Sequence, residues 1–356
     1  MSATAASKPV QVIQWATGRA GVPALRAIIE RPDTELVGLY VSSPDKVGKD
    51  AGELCGLTPT GVAATRDAST LLAGPGDVVS YSATDVGRLD DVVDDLCAIL
   101  ESGKDLVTIT PTQLFHIPTA NRAIVKRLRQ ACARGNSSLH FTGIFPGFLC
   151  DSLIFSLTNL SHRIESVTMA EMLEISSYDP AMLKALGFGE HPEADAQGFS
   201  LDFLNFYWES ILHYLAEAFG ITFDKIRHFR ETATTDTAFV TTSGLEVPAG
   251  CIAALHWGLE GLIDGNRRLC VEHYERLDAA IAPHWPQPPE RGGYRFTIVG
   301  HPGITVDIAF QGHDPLTDAM VTTSNRAVNV LAAVHAAPAG IIESFSDLPF
   351  VPGQMA

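Results

Sequence analysis

What this 356-residue sequence lacks already excludes several kinds of protein. Basic residues are scarce: 25 Lys and Arg stand against 41 Asp and Glu, a formal net charge of −16. Nucleic-acid binding needs a concentrated basic face that displaces counterions from phosphates, so no nucleic-acid partner is expected, and any anion must be captured locally. Long apolar runs are missing as well. The most apolar segment, 327-AVNVLAAVHAAPAGII-342, is interrupted by Asn329, His335 and Pro338. It falls short of the ~20 apolar residues of a membrane span and reads as a buried helix followed by a turn. The first residues, MSATAASKPV, carry one lysine and no apolar run of the secretory kind. Six cysteines (Cys55, Cys97, Cys132, Cys150, Cys251 and Cys270) include no CxxC pair and no zinc spacing, so the expectation is free thiols, no metal, and a reducing, cytoplasmic setting. HExxH and GxSxG are absent, which leaves no signal for a zinc hydrolase or a serine hydrolase.

What is present is a globular composition, 46% hydrophobic and 19% charged, on a chain long enough for two domains. The first half alternates short β-like runs (VQVIQW, ELVGLYV, GVAAT, DVVSYSA, DLVTITP, SSLHFTGI) with helical ones. That alternation indicates βαβ units and an α/β fold with a doubly wound parallel sheet, whose strand C-termini line one ligand-binding edge. After the Pro146-Gly147 turn the pattern changes to longer strands joined by Asp264-Gly265-Asn266 and His301-Pro302-Gly303. This predicts an α+β, mostly antiparallel second domain. The expected division is residues 1–150 for the dinucleotide-binding domain, completed by a returning C-terminal helix within 316–356, and 151–315 for a substrate and dimerisation domain. The helix SLDFLNFYWESILHYLAEAFG carries enough aromatics to line a pocket or a dimer interface, or simply to pack a core.

Chemistry is concentrated in 11-QVIQWATGRAGVPALRAII-29. A strand runs into a helix through Ala16-x-Gly18-x-x-Gly21, where a dinucleotide fingerprint has glycine at all three places. Gly18 permits a positive φ, and Gly21 lets the helix pack closely on the strand. Thr17, Gly18, Arg19, Ala20 and Gly21 then present amides and the positive end of a helix to a pyrophosphate. The alternative is a bare βα turn. The second strand ends Val41-Ser42-Ser43-Pro44-Asp45-Lys46. Ser42, Ser43 and Lys46 suit a ribose 2′-phosphate, with Arg19 as a further partner, so NADP(H) is preferred, while Asp45 leaves NAD(H) open.

The run VIQWATGRAG, then ELVGLYVSSPDKVGKDAGELCGL, GIFPGF and NRAVNVLAAVHAAPAGI, resembles the dihydrodipicolinate-reductase-like superfamily, in its branch with 2,4-diaminopentanoate dehydrogenase and native amine dehydrogenases. The resemblance spans nearly the whole chain. It implies a Rossmann domain, an α/β substrate domain, and hydride exchange between NAD(P)H and a C=N or C=O carbon. Two departures limit it. The His-His…Lys motif of dihydrodipicolinate reductases is missing from 171-EMLEISSYDPAMLKALGFG-189, and the loop 108-TITPTQLFHIP-118 lacks the carboxylate of amine dehydrogenases. An acid from elsewhere, such as Glu174, could substitute.

A reductase needs a hydrogen-bond donor near the reacting heteroatom. Tyr178, which the resemblance places on the cleft, heads the candidates, followed by Thr112, Gln113 and His116, with His140 behind them; each is also an ordinary structural residue by type. Topology assigns Ser82, Ala83, Thr84, Thr110 and Pro111 to the nicotinamide side of the cofactor. Phe145 and Phe148 are expected as apolar walls that together with Tyr178 bind substrate, and Asn329 as a carboxamide partner or a buried cap. Phe203, Phe206, Tyr207 and Trp208 add to the apolar character. The expected activity is therefore an NAD(P)H-dependent oxidoreductase acting on a small, largely apolar carbonyl, imine or amine, in a homodimer. The alternative is a non-catalytic NADP(H)-binding sensor or partner protein.

Overall fold

The computed structural model describes residues 8–193, 201–288, 290–312 and 314–354, with 201–206 described as backbone. Its contacts divide the chain into two compact units, residues 1–151 with 320–356, and 152–319. The second boundary falls inside the helix Pro315–Asn329.

The first unit is a Rossmann-type α/β sandwich. Strands β1 (Val10–Trp15), β2 (Thr34–Tyr40), β3 (Ala64–Thr65), β4 (Val78–Tyr81), β5 (Asp105–Thr108) and β6 (Ser138–Phe141) pair in the order β6-β5-β4-β1-β2-β3, and every pairing is parallel. The chain leaves β1 in one direction along the sheet and returns to continue from β4 in the other, so the β1/β4 junction is the topological switch point where such sheets bind ligands. Parallel strands are buried on both faces, which explains the near-continuous apolar run VVSY in β4. The helices Leu89–Glu101 and Arg122–Gly135 bury the helical-period stripes Val92, Val93, Leu96, Leu100 and Ile124, Val125, Leu128.

The C-terminal segment differs from the expected helix and turn. The helix ends at Asn329, a short helix Leu331–His335 follows, and Gly340–Ile342 then joins β6 as a seventh parallel strand. Three residues bounded by glycine and Pro338 carry too little pattern to read as a strand; pairing with β6 decides it. Val328, Val330, Leu331, Val334 and Ile342 join Val12, Ala24, Ile28, Val78 and Val107 in one core.

The second unit is built on a six-stranded mixed sheet of β7 (His162–Glu174), β8 (Lys225–Thr234), β11 (Ile252–Ile263), β12 (Asn266–Arg276), β13 (Gly292–His301) and β14 (Ile304–Ala309), in the order β14-β13-β7-β12-β11-β8; β9 (Phe239–Val240) and β10 (Glu246–Val247) form a separate hairpin. All pairings are antiparallel except β7 with β12. Asp264 and Gly265 turn β11 into β12 with positive φ values of 51° and 72°, as an Asp-Gly hairpin requires. The central strands pack on Leu183, Leu186 and Phe188, and Trp208 of the helix Leu201–Phe219 lies against the same cluster. Among the described residues no helix is long and apolar enough to cross a membrane, and all six cysteines are free and buried.

The C-terminal segment is thus an integral part of the first core. Leu331→Ala, at a fully buried position, is expected to lower unfolding stability by ~2–5 kcal/mol, measured by urea denaturation.

Candidate functional site

The loops that follow β1, β2, β4, β5 and β6 all emerge at the C-terminal edge of the parallel sheet. Trp15 closes β1, stacked on Tyr40 of β2 with centroids 4.1 Å apart and 18° between planes. Ala16 follows at φ 78°, the left-handed region that an L residue enters at a cost of roughly 1–2 kcal/mol. The positive φ thus falls not on Gly18, which would permit it, but on Ala16, at the fingerprint's first position. Its carbonyl is held by Gln14 Nε2, which donates at 2.9 Å. Gly21 approaches so closely that a Cβ there would lie 2.3 Å from Ala16 O. At Gly18 a Cβ would meet nothing within 4 Å, so the backbone there is open to a ligand. Among the described residues no side chain caps the helix Gly21–Glu30, whereas Asn121 caps Arg122–Gly135 and Asp179 caps Pro180–Leu186. An uncapped helix start leaves amide donors and the positive end of the dipole for an anion. Ser324 Oγ, 2.6 Å from Ala20 O, braces this start from the C-terminal helix.

The β2 loop folds back onto the β1 loop. Lys46 Nζ donates to Thr17 O at 3.0 Å and Thr17 Oγ1 at 3.1 Å, which places an ammonium beside the glycine turn. Ser43 Oγ donates to the Asp45 carboxylate, and that bond lowers the Asp45 pKa. Ser42 is exposed. The β4 and β5 loops are tied together by Thr110 Oγ1, which donates to Ala83 O at 2.8 Å. Ser82 Oγ lies 3.4 Å from Gln14 Nε2, Thr84 Oγ1 accepts from Val86 N at 3.3 Å, and the Thr110–Pro111 bond is cis. Sequence reasoning missed Gln14, the buried side chain that links β1, Ala16 and Ser82; a polar residue within an apolar strand was the available signal. The hydroxyls of Thr112 and Thr142, on the loops after β5 and β6, are buried with no hydrogen-bond partner among the described residues.

Three expected site residues have structural partners. Asn329 Oδ1 accepts from Arg31 Nη1, and Arg31 also pairs with Asp33 immediately before β2; this is the N-terminal edge of the sheet, opposite the ligand edge. Gln113 Oε1 accepts from Asn121 N at 2.8 Å, so this buried amide closes the loop ahead of the next helix. His116 is buried, with Nδ1 2.8 Å from Thr119 Oγ1, a contact that fixes the turn. Phe148 lies beneath Arg326, whose guanidinium carbon is 5.5 Å from the ring centroid, and Phe145 is partly buried. His140 is buried in β6, with Nδ1 3.2 Å from Ile342 O; desolvation lowers its pKa to about 4.

In the second unit, Tyr178 packs against the apolar cluster that contains Leu173 and Trp257. Glu174 is paired with Arg291 at 2.8 Å and accepts from Ser176 Oγ at 3.2 Å. The acid that sequence reasoning missed is Glu171, which meets His273 and Tyr294 at 3.0 Å and 2.8 Å. Only the pairing of β7 with β12 and β13 brings these three together. The side chains of Phe203 and Phe206 lie outside the described residues.

Residues 148–356 match the family described as the 2,4-diaminopentanoate dehydrogenase C-terminal domain, and residues 12–112 match the dihydrodipicolinate reductase N-terminus. An amine dehydrogenase of Streptomyces virginiae is 29% identical over 350 residues, covering 96% of this chain and 97% of the relative. A 4-hydroxy-tetrahydrodipicolinate reductase of Trichormus variabilis is 37% identical over 83 residues, covering 21% of this chain and 30% of that protein. The solved structure of an amine dehydrogenase from Mycobacterium smegmatis superposes with a TM-score of 0.76 at 20% identity, covering 97% of each chain.

The geometry of the first turn makes two stability predictions. Ala16→Gly, which removes the Cβ from the left-handed position, should raise stability by about 1 kcal/mol. Gly21→Ala, whose Cβ would meet a backbone carbonyl, should lower it by ~1–3 kcal/mol. Equilibrium unfolding of the two variants checks both signs.

Proposed function

Because the chain belongs to the family of the 2,4-diaminopentanoate dehydrogenase C-terminal domain and is an NAD(P)-dependent oxidoreductase, we propose that it passes a hydride between NADP(H) and the carbon of a small, largely apolar carbonyl or imine. The observation that carries this reading is the β1 turn. Open backbone at Gly18, an uncapped helix behind it and Lys46 beside Thr17 form an anion cradle at the switch point of a parallel sheet.

The residues fit a dinucleotide. Thr17, Gly18, Arg19, Ala20 and Gly21 would hold the pyrophosphate. Ser42, Ser43 and Lys46, with Arg19, would hold a 2′-phosphate. Asp45, bonded to Ser43 in its own loop, is the group that keeps NAD(H) as a second cofactor. Ser82, Ala83, Thr84, Thr110 and Pro111 would line the nicotinamide side, and the hydroxyl of Thr112, buried with no partner among the described residues, is a donor for that region. When bound, the nicotinamide supplies or accepts the hydride. This chain orients it, excludes water and offers a proton at the heteroatom. Tyr178, Phe145 and Phe148 are proposed for the substrate, with Tyr178 as the proton donor. The first unit is proposed as the cofactor domain and the second as the substrate domain, in a homodimer formed through the latter.

The full-length similarity to an amine dehydrogenase supports the imine form of the reaction, and ammonium dependence separates it from plain ketone reduction. Purified protein should shift or quench NADPH fluorescence and turn over apolar ketones; no change in NADPH fluorescence would remove the reading. Tight binding without turnover across a carbonyl panel, with and without ammonium, would favour the sensor. Lys46→Ala is expected to weaken NADPH roughly tenfold or more beyond its effect on NADH, since a charged hydrogen bond contributes ~1.5–3 kcal/mol; equal effects on both cofactors would contradict the assignment of Lys46 to the 2′-phosphate.

A further inference from the structure

One buried cluster of polar side chains in the second unit has no part in that account. A single row crosses five strands of the sheet. Arg230 of β8 stands opposite Trp257 of β11, Trp257 opposite His273 of β12, His273 opposite Glu171 of β7, and Glu171 opposite Tyr294 of β13. Directly opposed residues share a face, so the row is one continuous strip. Tyr294 OH donates to Glu171 Oε1 at 2.8 Å, and His273 Nδ1 lies 3.0 Å from Glu171 Oε2. The imidazole stacks flat on Trp257, with centroids 4.1 Å apart and 9° between planes. Trp208 meets both rings edge-on, 4.8 Å from His273 and 5.1 Å from Trp257. Tyr178 packs against the same apolar cluster as Trp208. His273 is fully buried, whereas 15% of the Glu171 side chain is exposed.

These partners distinguish Glu171 from its neighbours. Glu174 is neutralised by Arg291, and Asp314 is occupied by Ser177 and Thr317 at the start of a helix. Glu171 is held by a phenol and an imidazole, which fix its orientation and leave lone pairs on both oxygens. A carboxylate set against indole and phenol rings attracts an organic cation twice, through its own charge and through the ring faces, and repels an anion.

We propose that Glu171, oriented by His273 and Tyr294, is the carboxylate with which the second unit binds the nitrogen of an alkylamine, whose apolar body lies against Trp208 and Tyr178. The assignment rests on the carbonyl/imine reading above and names its amine-binding residue. Glu171 binds and positions; no proton or hydride step is assigned to it.

Intrinsic tryptophan fluorescence reads this site directly. Cyclohexylamine should perturb the emission saturably and bind the wild-type protein roughly tenfold or more tightly than cyclohexanol, with cyclohexanecarboxylate weakest. Glu171→Gln should reduce the affinity for the amine to that for the alcohol, and Glu171→Asp should restore part of it, while NADPH affinity stays unchanged in both. Amine binding equal to alcohol binding in the wild type, or undiminished in Glu171→Gln, would overturn the proposal. The ligand series on the wild-type protein decides the matter even if the variants fail to fold. Failure of NADPH binding would count against the oxidoreductase reading, whereas NADPH binding without amine selectivity would count against Glu171 alone.

Discussion

The arrangement at the nucleotide edge depends on how closely the helix Gly21–Glu30 approaches the end of β1. A Cβ at Gly21 would sit 2.3 Å from Ala16 O, so only glycine lets the helix start that near the strand. The chain meets the constraint by twisting Ala16 into a left-handed conformation and anchoring its carbonyl with Gln14. The consequences spread outward. Gln14 also reaches Ser82 on the β4 loop, Thr110 ties that loop to β5, and Lys46 closes over Thr17 from the β2 side. Four strand ends are thereby referred to one turn, which is the rigidity that a phosphate cradle needs.

Much of this was legible in the sequence. Six strands of the first sheet follow from alternating apolar and helical runs, because a parallel strand buried on both faces must be apolar throughout. The hairpin at Asp264-Gly265 follows from the positive φ that those residues tolerate. Other features were not legible, for physical reasons. The strand Gly340–Ile342 is too short to carry a pattern and exists only because β6 offers a free edge. Gln113, His116 and Asn329 have the residue types of site chemistry, yet their hydrogen bonds run to Asn121, Thr119 and Arg31. Spacing along the chain cannot show on which edge of a sheet a returning helix ends. Glu171, His273 and Tyr294 lie up to 123 residues apart and meet only through sheet register.

The two units divide the chemistry by the kind of burial they provide. The first is dominated by backbone donors at strand ends and a helix start, the means by which proteins hold phosphates without burying a cation. The second places ionisable side chains among aromatic rings on a sheet face, where low dielectric strengthens each polar contact and makes each one selective. Glu275 shows the strength of that environment: desolvation raises its carboxyl pKa, although Trp257 Nε1 donates to it at 3.0 Å. In an acidic chain of net charge −16, the proposed phosphate donors lie in one loop system.

The central claim, that the β1 turn is a dinucleotide site, is tested most directly by calorimetric titration of NADPH into the wild-type protein and Gly18→Val. A Cβ at Gly18 meets no protein atom within 4 Å, so the variant should unfold at the wild-type temperature. Its side chain would occupy the phosphate's approach, an overpacking cost of ~1–3 kcal/mol, and NADPH should bind roughly 10- to 100-fold more weakly. A folded Gly18→Val protein that binds NADPH as tightly as the wild type would contradict the account.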